Sequence, residues 1–158
     1  MVKIWFKLML HIKDILTLNR THYSLRAQSK KKALELISES MAADLIQVRA
    51  HDIFDGLIMR ERLGSTAISQ GVAIPHTRLA AIDQTMGCFI SLKEGIDFGA
   101  EDNIKVDLIF SLLVPNETDE THLDLLASLA HIFREEVLRQ KLRNAKSREE
   151  LYEILTHA

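Results

Sequence analysis

At 158 residues and 47% hydrophobic content, the chain is long enough to bury one continuous core, and a single domain is the default reading. Its 20 basic and 22 acidic side chains leave a net charge of −2, which excludes the global basic field that recruits nucleic acid or an anionic lipid surface. The one cysteine excludes an internal disulfide and a cysteine-rich zinc site and fits a reducing cytoplasm.

The first ten residues mix basic and apolar side chains as a targeting segment does. Lys7 interrupts them, the apolar run is far shorter than the roughly 20 residues of a membrane span, and no small-residue cleavage site follows. Residues 1–11 therefore read as an irregular tail and residues 12–158 as the folded domain, with no membrane insertion. Ser29 is placed to cap a helix that opens on Lys30, Lys31 and Lys32 and carries Ala33, Leu34, Ile37, Met41 and Leu45 as its apolar stripe; the three lysines read as a solvated face. A second helix is expected from Ala50 to Arg62, stopped by Gly64.

All six glycines lie between positions 56 and 99, so loops and tight geometry concentrate in the middle of the chain. There the hydrophobic period shortens. Thr66–Ile68 and Val72–Ile74 read as short strands, the second ended by Pro75; Met86–Leu92 and Val106–Val114 read as longer ones, the last apolar enough to be covered on both faces. Cys88, among apolar neighbours, reads as a buried, inert thiol. The remainder is helical: Leu123 to Phe133, then Val137 to Leu142, then a helix after Ser147 whose Ser-x-x-Glu spacing to Glu150 predicts a capping box. Helices before and after a central block of strands imply a layered α/β or α+β domain.

No Gly-rich phosphate loop, Gly-x-Ser-x-Gly elbow or His-Glu-x-x-His pair is present, and the seven histidines show no helical ligand spacing, so neither a metal nor a nucleotide cofactor is expected. The segment that stands out is Gly64–Arg78, in which an apolar strand and Pro75 deliver His76. Proline fixes its own φ and biases Ile74 toward extended geometry, so His76 is held in one orientation next to loops. Its neutral imidazole is a competent nucleophile at neutral pH. From the residues alone, a nucleophile and a satisfied core or surface histidine both remain open.

The run Gly64-Ser65-Thr66 followed by Gly71-Val72-Ala73-Ile74-Pro75-His76 resembles the active-site motif of the fructose/mannitol-type enzyme IIA family. Similar blocks surround it: Ser29–Glu35, Arg60–Thr66, Val106–Phe110, Leu112–Pro115, His122-Leu123, Leu142–Ala145 and Glu150–Tyr152. The free-standing form looks most like the family's nitrogen-regulatory branch. Thr77 and Ser69 stand where the family usually has glycine.

The resemblance implies an α/β single domain, with a mixed, mostly parallel sheet of about five strands and helices on both faces. It implies phosphorylation of His76 (as a tele-phosphohistidine) by an HPr-like phosphocarrier protein, His122 and Arg60 as supporting residues, and Ser65 and Thr66 as phosphate-binding candidates that alternatively only shape the turn. Arg78 is a weaker candidate. The implied function is a cytoplasmic regulatory phosphocarrier read by target proteins. The alternatives are a sugar-specific enzyme IIA that passes the phosphoryl group to an enzyme IIB, and a non-phosphorylated scaffold.

Overall fold

The computed structural model describes residues 11–116 and 121–158, with side chains up to 116 and from 123 onward; the expectations for residues 1–10 of the tail and for the His122 side chain lie outside them. The chain runs α1 (Ile12–Ile15), a 3-10 turn, β1 (Thr21–Leu25), α2 (Lys30–Ala42), α3 (Ala50–Arg62), β2 (Ala67–Ser69), β3 (Val72–Ala73), β4 (His76–Leu79), β5 (Met86–Ile96), β6 (Val106–Pro115), α4 (Thr121–Phe133), α5 (Glu136–Asn144) and α6 (Arg148–Thr156). The expected helices and the two long strands are where their apolar patterns place them. Ser29 Oγ accepts the Lys32 N–H at 3.1 Å and starts α2 as a cap. Ser147 Oγ accepts the Glu150 N–H in the same way, but the Glu150 carboxylate accepts from Lys146 N–H rather than from Ser147, so the box closes one residue upstream of the expected place.

The sheet has six strands in the order β1-β5-β6-β3-β2, with β4 also on β6. The β1–β5, β3–β6 and β4–β6 pairs are parallel, while β2–β3 and the long central β5–β6 ladder are antiparallel. β3 and β4 meet β6 in one continuous register, Val72 opposite Leu108, Ala73 opposite Ile109 and His76 opposite Leu112, so they are one strand path broken at Ile74-Pro75. β3 ends before Pro75 as expected, but the sequence did not predict that pairing continues beyond it as β4. Proline offers no N–H to the ladder, but its carbonyl accepts from Leu112 N–H at 2.9 Å and pairing resumes at His76.

From Leu108 to Leu113 the side chains along β6 alternate between two cores. Ile109 and Leu113 pack with Leu34, Ile37 and Met41 of α2 and Ile53 and Leu57 of α3; Val106 joins the same core because the alternation breaks at Asp107, where the Asp107 and Leu108 N–H groups both donate to the Gly71 carbonyl. Leu108, Phe110 and Leu112 pack with Leu125, Leu129 and Phe133 of α4 and with Leu142, Leu151 and Leu155 behind them. On that second face Phe89, Phe110 and Phe133 form a ring cluster with centroids 6.1–6.3 Å apart. A mixed sheet thus carries helices on both faces, the expected class. No helix among the described residues is long and apolar enough to cross a membrane.

β1 is a strand the pattern did not predict. It is anchored by Arg20, just before it, whose guanidinium donates to the Gly87 and Ile15 carbonyls at 2.9 Å each and pairs with Asp44. His22 on β1 lies 2.7 Å from Ser40 Oγ, and burial, seconded by the positive charge of Arg148, lowers its pKa from 6.5. An imidazole with a lowered folded-state pKa takes up its proton in the unfolded chain first, so stability falls as pH drops below 6.5 toward the folded value. His22→Gln is therefore expected to flatten that part of the denaturation profile relative to the wild type, measured by urea unfolding between pH 7 and 5. An unchanged slope would remove His22 as a cause. Cys88 is fully buried and desolvation pushes its thiol up to about 12, consistent with the inert role read from its neighbours.

Candidate functional site

Residues 64–66 form a loop between α3 and β2 in which almost every polar group is committed. Arg60 Nη1, in the last turn of α3, donates to the Gly64 carbonyl at 2.8 Å. Ser65 Oγ donates to the Phe98 carbonyl at 2.7 Å and accepts from Ala67 N–H. The Thr66 hydroxyl and N–H both donate to the carboxylate of Glu61. The Ser65 hydroxyl and the hydroxyl and N–H of Thr66 are thus donated within the protein, where they shape the turn.

Glu61 is the residue the sequence did not single out. Its side chain is only 3% exposed, and Lys30 Nζ from α2 meets it at 2.9 Å while lying 4.6 Å above the ring of Phe98. Lys30 is thus the half-buried partner of a buried carboxylate and not part of a solvated face, which corrects the reading for the first of the three lysines; Lys31 and Lys32 are exposed as expected. A glutamate flanked by Arg60 and Arg62 in a last helical turn looks solvated in sequence. What buries it is Thr66, returning five residues later.

From Thr66 the connection runs on to His76. The Thr66 carbonyl accepts from Ile74 N–H at 3.0 Å, and the Ile74 carbonyl lies 2.8 Å from Nδ1 of His76. On the other side of the break, the Pro75 carbonyl accepts from both Ser111 Oγ and Leu112 N–H at 2.9 Å. The Ala73–Ile74 peptide is therefore pinned to the loop and the Pro75–His76 peptide to β6. A carbonyl only accepts, so Nδ1 carries the proton in the neutral ring and the lone pair is left on Nε2.

β4 sets which way each side chain faces. Thr77 and Leu79 turn toward α2 and α3: Leu79 packs on their core, and Thr77 lies against Gly56 of α3. His76 and Arg78 alternate onto the opposite face, where α4 lies. His76 is half-buried, and Arg78 Nη1 donates to the Asn116 carbonyl at 3.0 Å. Arg60 and the Gly64–Thr66 loop stand at the end of α3, and His122 belongs to the first turn of α4. Among the described residues no group of three His, Cys, Asp or Glu side chains is placed to hold a metal ion.

The β2–β3 hairpin before the histidine is held from outside. Gln70 and Gly71 both have positive φ, 57° and 82°, giving the mirror-image two-residue turn that fits strand twist. Asp102 accepts from Gln70 N–H at 2.9 Å, and Arg143 donates to the Gln70 carbonyl while pairing with Asp107.

Residues 14–158 match the family model described as phosphoenolpyruvate-dependent sugar phosphotransferase system, EIIA 2. The chain is 41% identical over 150 residues to a nitrogen regulatory protein of Klebsiella oxytoca, covering 94% of this chain and 92% of that one. It is 33% identical over 128 residues to a fructose-specific EIIA component of Haloferax volcanii, covering 80% and 82%. Among solved structures it is similar to the nitrogen regulatory protein IIA-Ntr of Neisseria meningitidis, with a TM-score of 0.86, 38% identity and coverage of 92% and 99%.

Proposed function

Because the chain belongs to the EIIA 2 family of the phosphoenolpyruvate-dependent sugar phosphotransferase system, we propose that it is a regulatory phosphocarrier that accepts a phosphoryl group on Nε2 of His76 from a phosphorylated HPr-like protein. The observation that carries this reading is the 2.8 Å approach of Nδ1 to the Ile74 carbonyl, which holds the ring and leaves Nε2 as the nucleophile. As the Nε2–phosphorus bond forms, the donor's nitrogen–phosphorus bond breaks and its electron pair returns to the donor ring. The proton on Nδ1 stays where it is, so no base is needed for His76.

Positioning and charge stabilisation account for most of such a transfer, because the moving phosphoryl spreads negative charge over its oxygens. Arg60 is the cation for that charge, exchanging the Gly64 carbonyl for a phosphate oxygen, and His122 is the second donor, from the first turn of α4. The higher identity and fuller coverage of the Klebsiella oxytoca nitrogen regulatory protein than of the fructose-specific component favour a regulatory output, with target proteins reading the phosphorylation state, over passage to an enzyme IIB. The setting is cytoplasmic.

The test supplies phosphoenolpyruvate, enzyme I and an HPr-like carrier to the purified protein and locates the adduct by phosphorus–nitrogen NMR coupling. One phosphoryl group on Nε2 of a single histidine is expected. An adduct on Nδ1, or none with active carriers, overturns the reading. Rapid onward transfer to an enzyme IIB would instead support the sugar-transport alternative.

A further inference from the structure

Gly56 sits in the middle of α3, where glycine is unfavourable relative to alanine. The reason is across the interface. A Cβ on residue 56 would lie 2.8 Å from Oγ1, 2.9 Å from Cγ2 and 3.3 Å from Cβ of Thr77. Threonine is short and stiff at χ1, and even a rotated side chain leaves its Cβ in place, so Thr77 cannot swing clear. Helix and strand meet at this point through a single side chain, and that side chain belongs to the residue after His76.

We propose that Thr77 is a positioning residue for phosphoryl transfer: seated in the notch over Gly56, it sets the spacing of β4 from α3 and thereby the placement of His76 on the strand's opposite face. This rests on the phosphocarrier reading. His76 is then located by three supports: the Ile74 carbonyl on its ring, the β6 ladder on its backbone and the Thr77–Gly56 contact beneath its strand. Arg60 lies four residues after Gly56 on the same side of α3, so the spacing at Thr77 also governs how far the guanidinium stands from the strand. The bulk that the contact needs is shared between the two positions, and a methyl on 56 can stand in for the side chain on 77.

The test measures phosphoryl transfer from a phosphorylated HPr-like carrier to the wild type, Gly56→Ala, Thr77→Gly and the double variant, with the ring nitrogen NMR signals of His76 recorded in each unphosphorylated protein. Gly56→Ala is expected to lower the maximal rate roughly ten- to a hundredfold with the half-saturating carrier concentration within about twofold, as a misplaced nucleophile does. Its His76 nitrogen signals are expected to move. Thr77→Gly is expected to be slower than the wild type, and adding Gly56→Ala to it is expected to restore both rate and signals. Should Gly56→Ala alone fail to fold, the comparison of Thr77→Gly with the double variant decides.

A labelled wild type with a double variant no faster than Thr77→Gly overturns the proposal and leaves the phosphocarrier reading standing. So does a Gly56→Ala protein that is less stable yet transfers at the wild-type rate with unmoved signals. A wild type that takes no label overturns both.

Discussion

His76→Ala is expected to fold as the wild type does and to lose phosphoryl uptake by at least about 10³-fold, because it removes the nucleophile itself. The variant should keep its fold because the ring is half-buried and residue 76 is held in place by the backbone ladder to β6. The wild-type adduct should be lost in acid and survive in base, as a phosphorus–nitrogen bond does. The histidine that most resembles His76 locally is His157, whose Nδ1 also lies 2.8 Å from a carbonyl, that of Glu153. It is exposed beyond the last helix, with no loop or ladder pinning the peptides around it. His51, also exposed, pairs with Asp55 at 3.1 Å. Label persisting in His76→Ala and mapping to either would sink the assignment, since tautomer control alone would then suffice without the supports around His76.

The parts of the molecule that were legible in the sequence are those in which the side chains themselves carry the period. α2, α3 and β6 bury Leu34, Ile37, Leu57, Ile109 and Leu113 at helical or strand spacing, and the limits of α3 and β6 match the expectation to within a residue, while α2 stops at Ala42, short of Leu45. β1 and β4, Thr-His-Tyr-Ser-Leu and His-Thr-Arg-Leu, carry no such stripe. They are strands because β5 and β6 present unfilled backbone groups beside them, a tertiary cause that no local pattern contains. The functional region divides in the same way. His76 was visible because proline and glycine mark the backbone around it. Glu61 was not, since its burial depends on Thr66 and Lys30 arriving from two different elements.

Glu61→Ala is expected to cost about 3 kcal/mol of folding stability, a drop of roughly 10 °C in the unfolding midpoint for a domain of this size. The change strips the partner from a half-buried ammonium, Lys30, and leaves the buried N–H of Thr66 without its acceptor. Glu61→Gln keeps the shape but replaces one acceptor oxygen with an NH₂ group. That group cannot face Lys30, so it must turn to the Thr66 hydroxyl, which then has to accept where it had donated. A smaller loss, about 1 kcal/mol, is the expected result. Because the Thr66 carbonyl holds Ile74 and Ile74 holds the His76 ring, both variants should also slow phosphoryl transfer, in the same order as they lose stability. Urea unfolding and transfer rates measured on the same preparations check this. A Glu61→Ala protein within about 0.5 kcal/mol of the wild type would mean that the carboxylate's desolvation cancels what its hydrogen bonds contribute. Retained stability with slowed transfer would place Glu61 in positioning alone, and lost stability with unchanged transfer would break the link from the loop to His76.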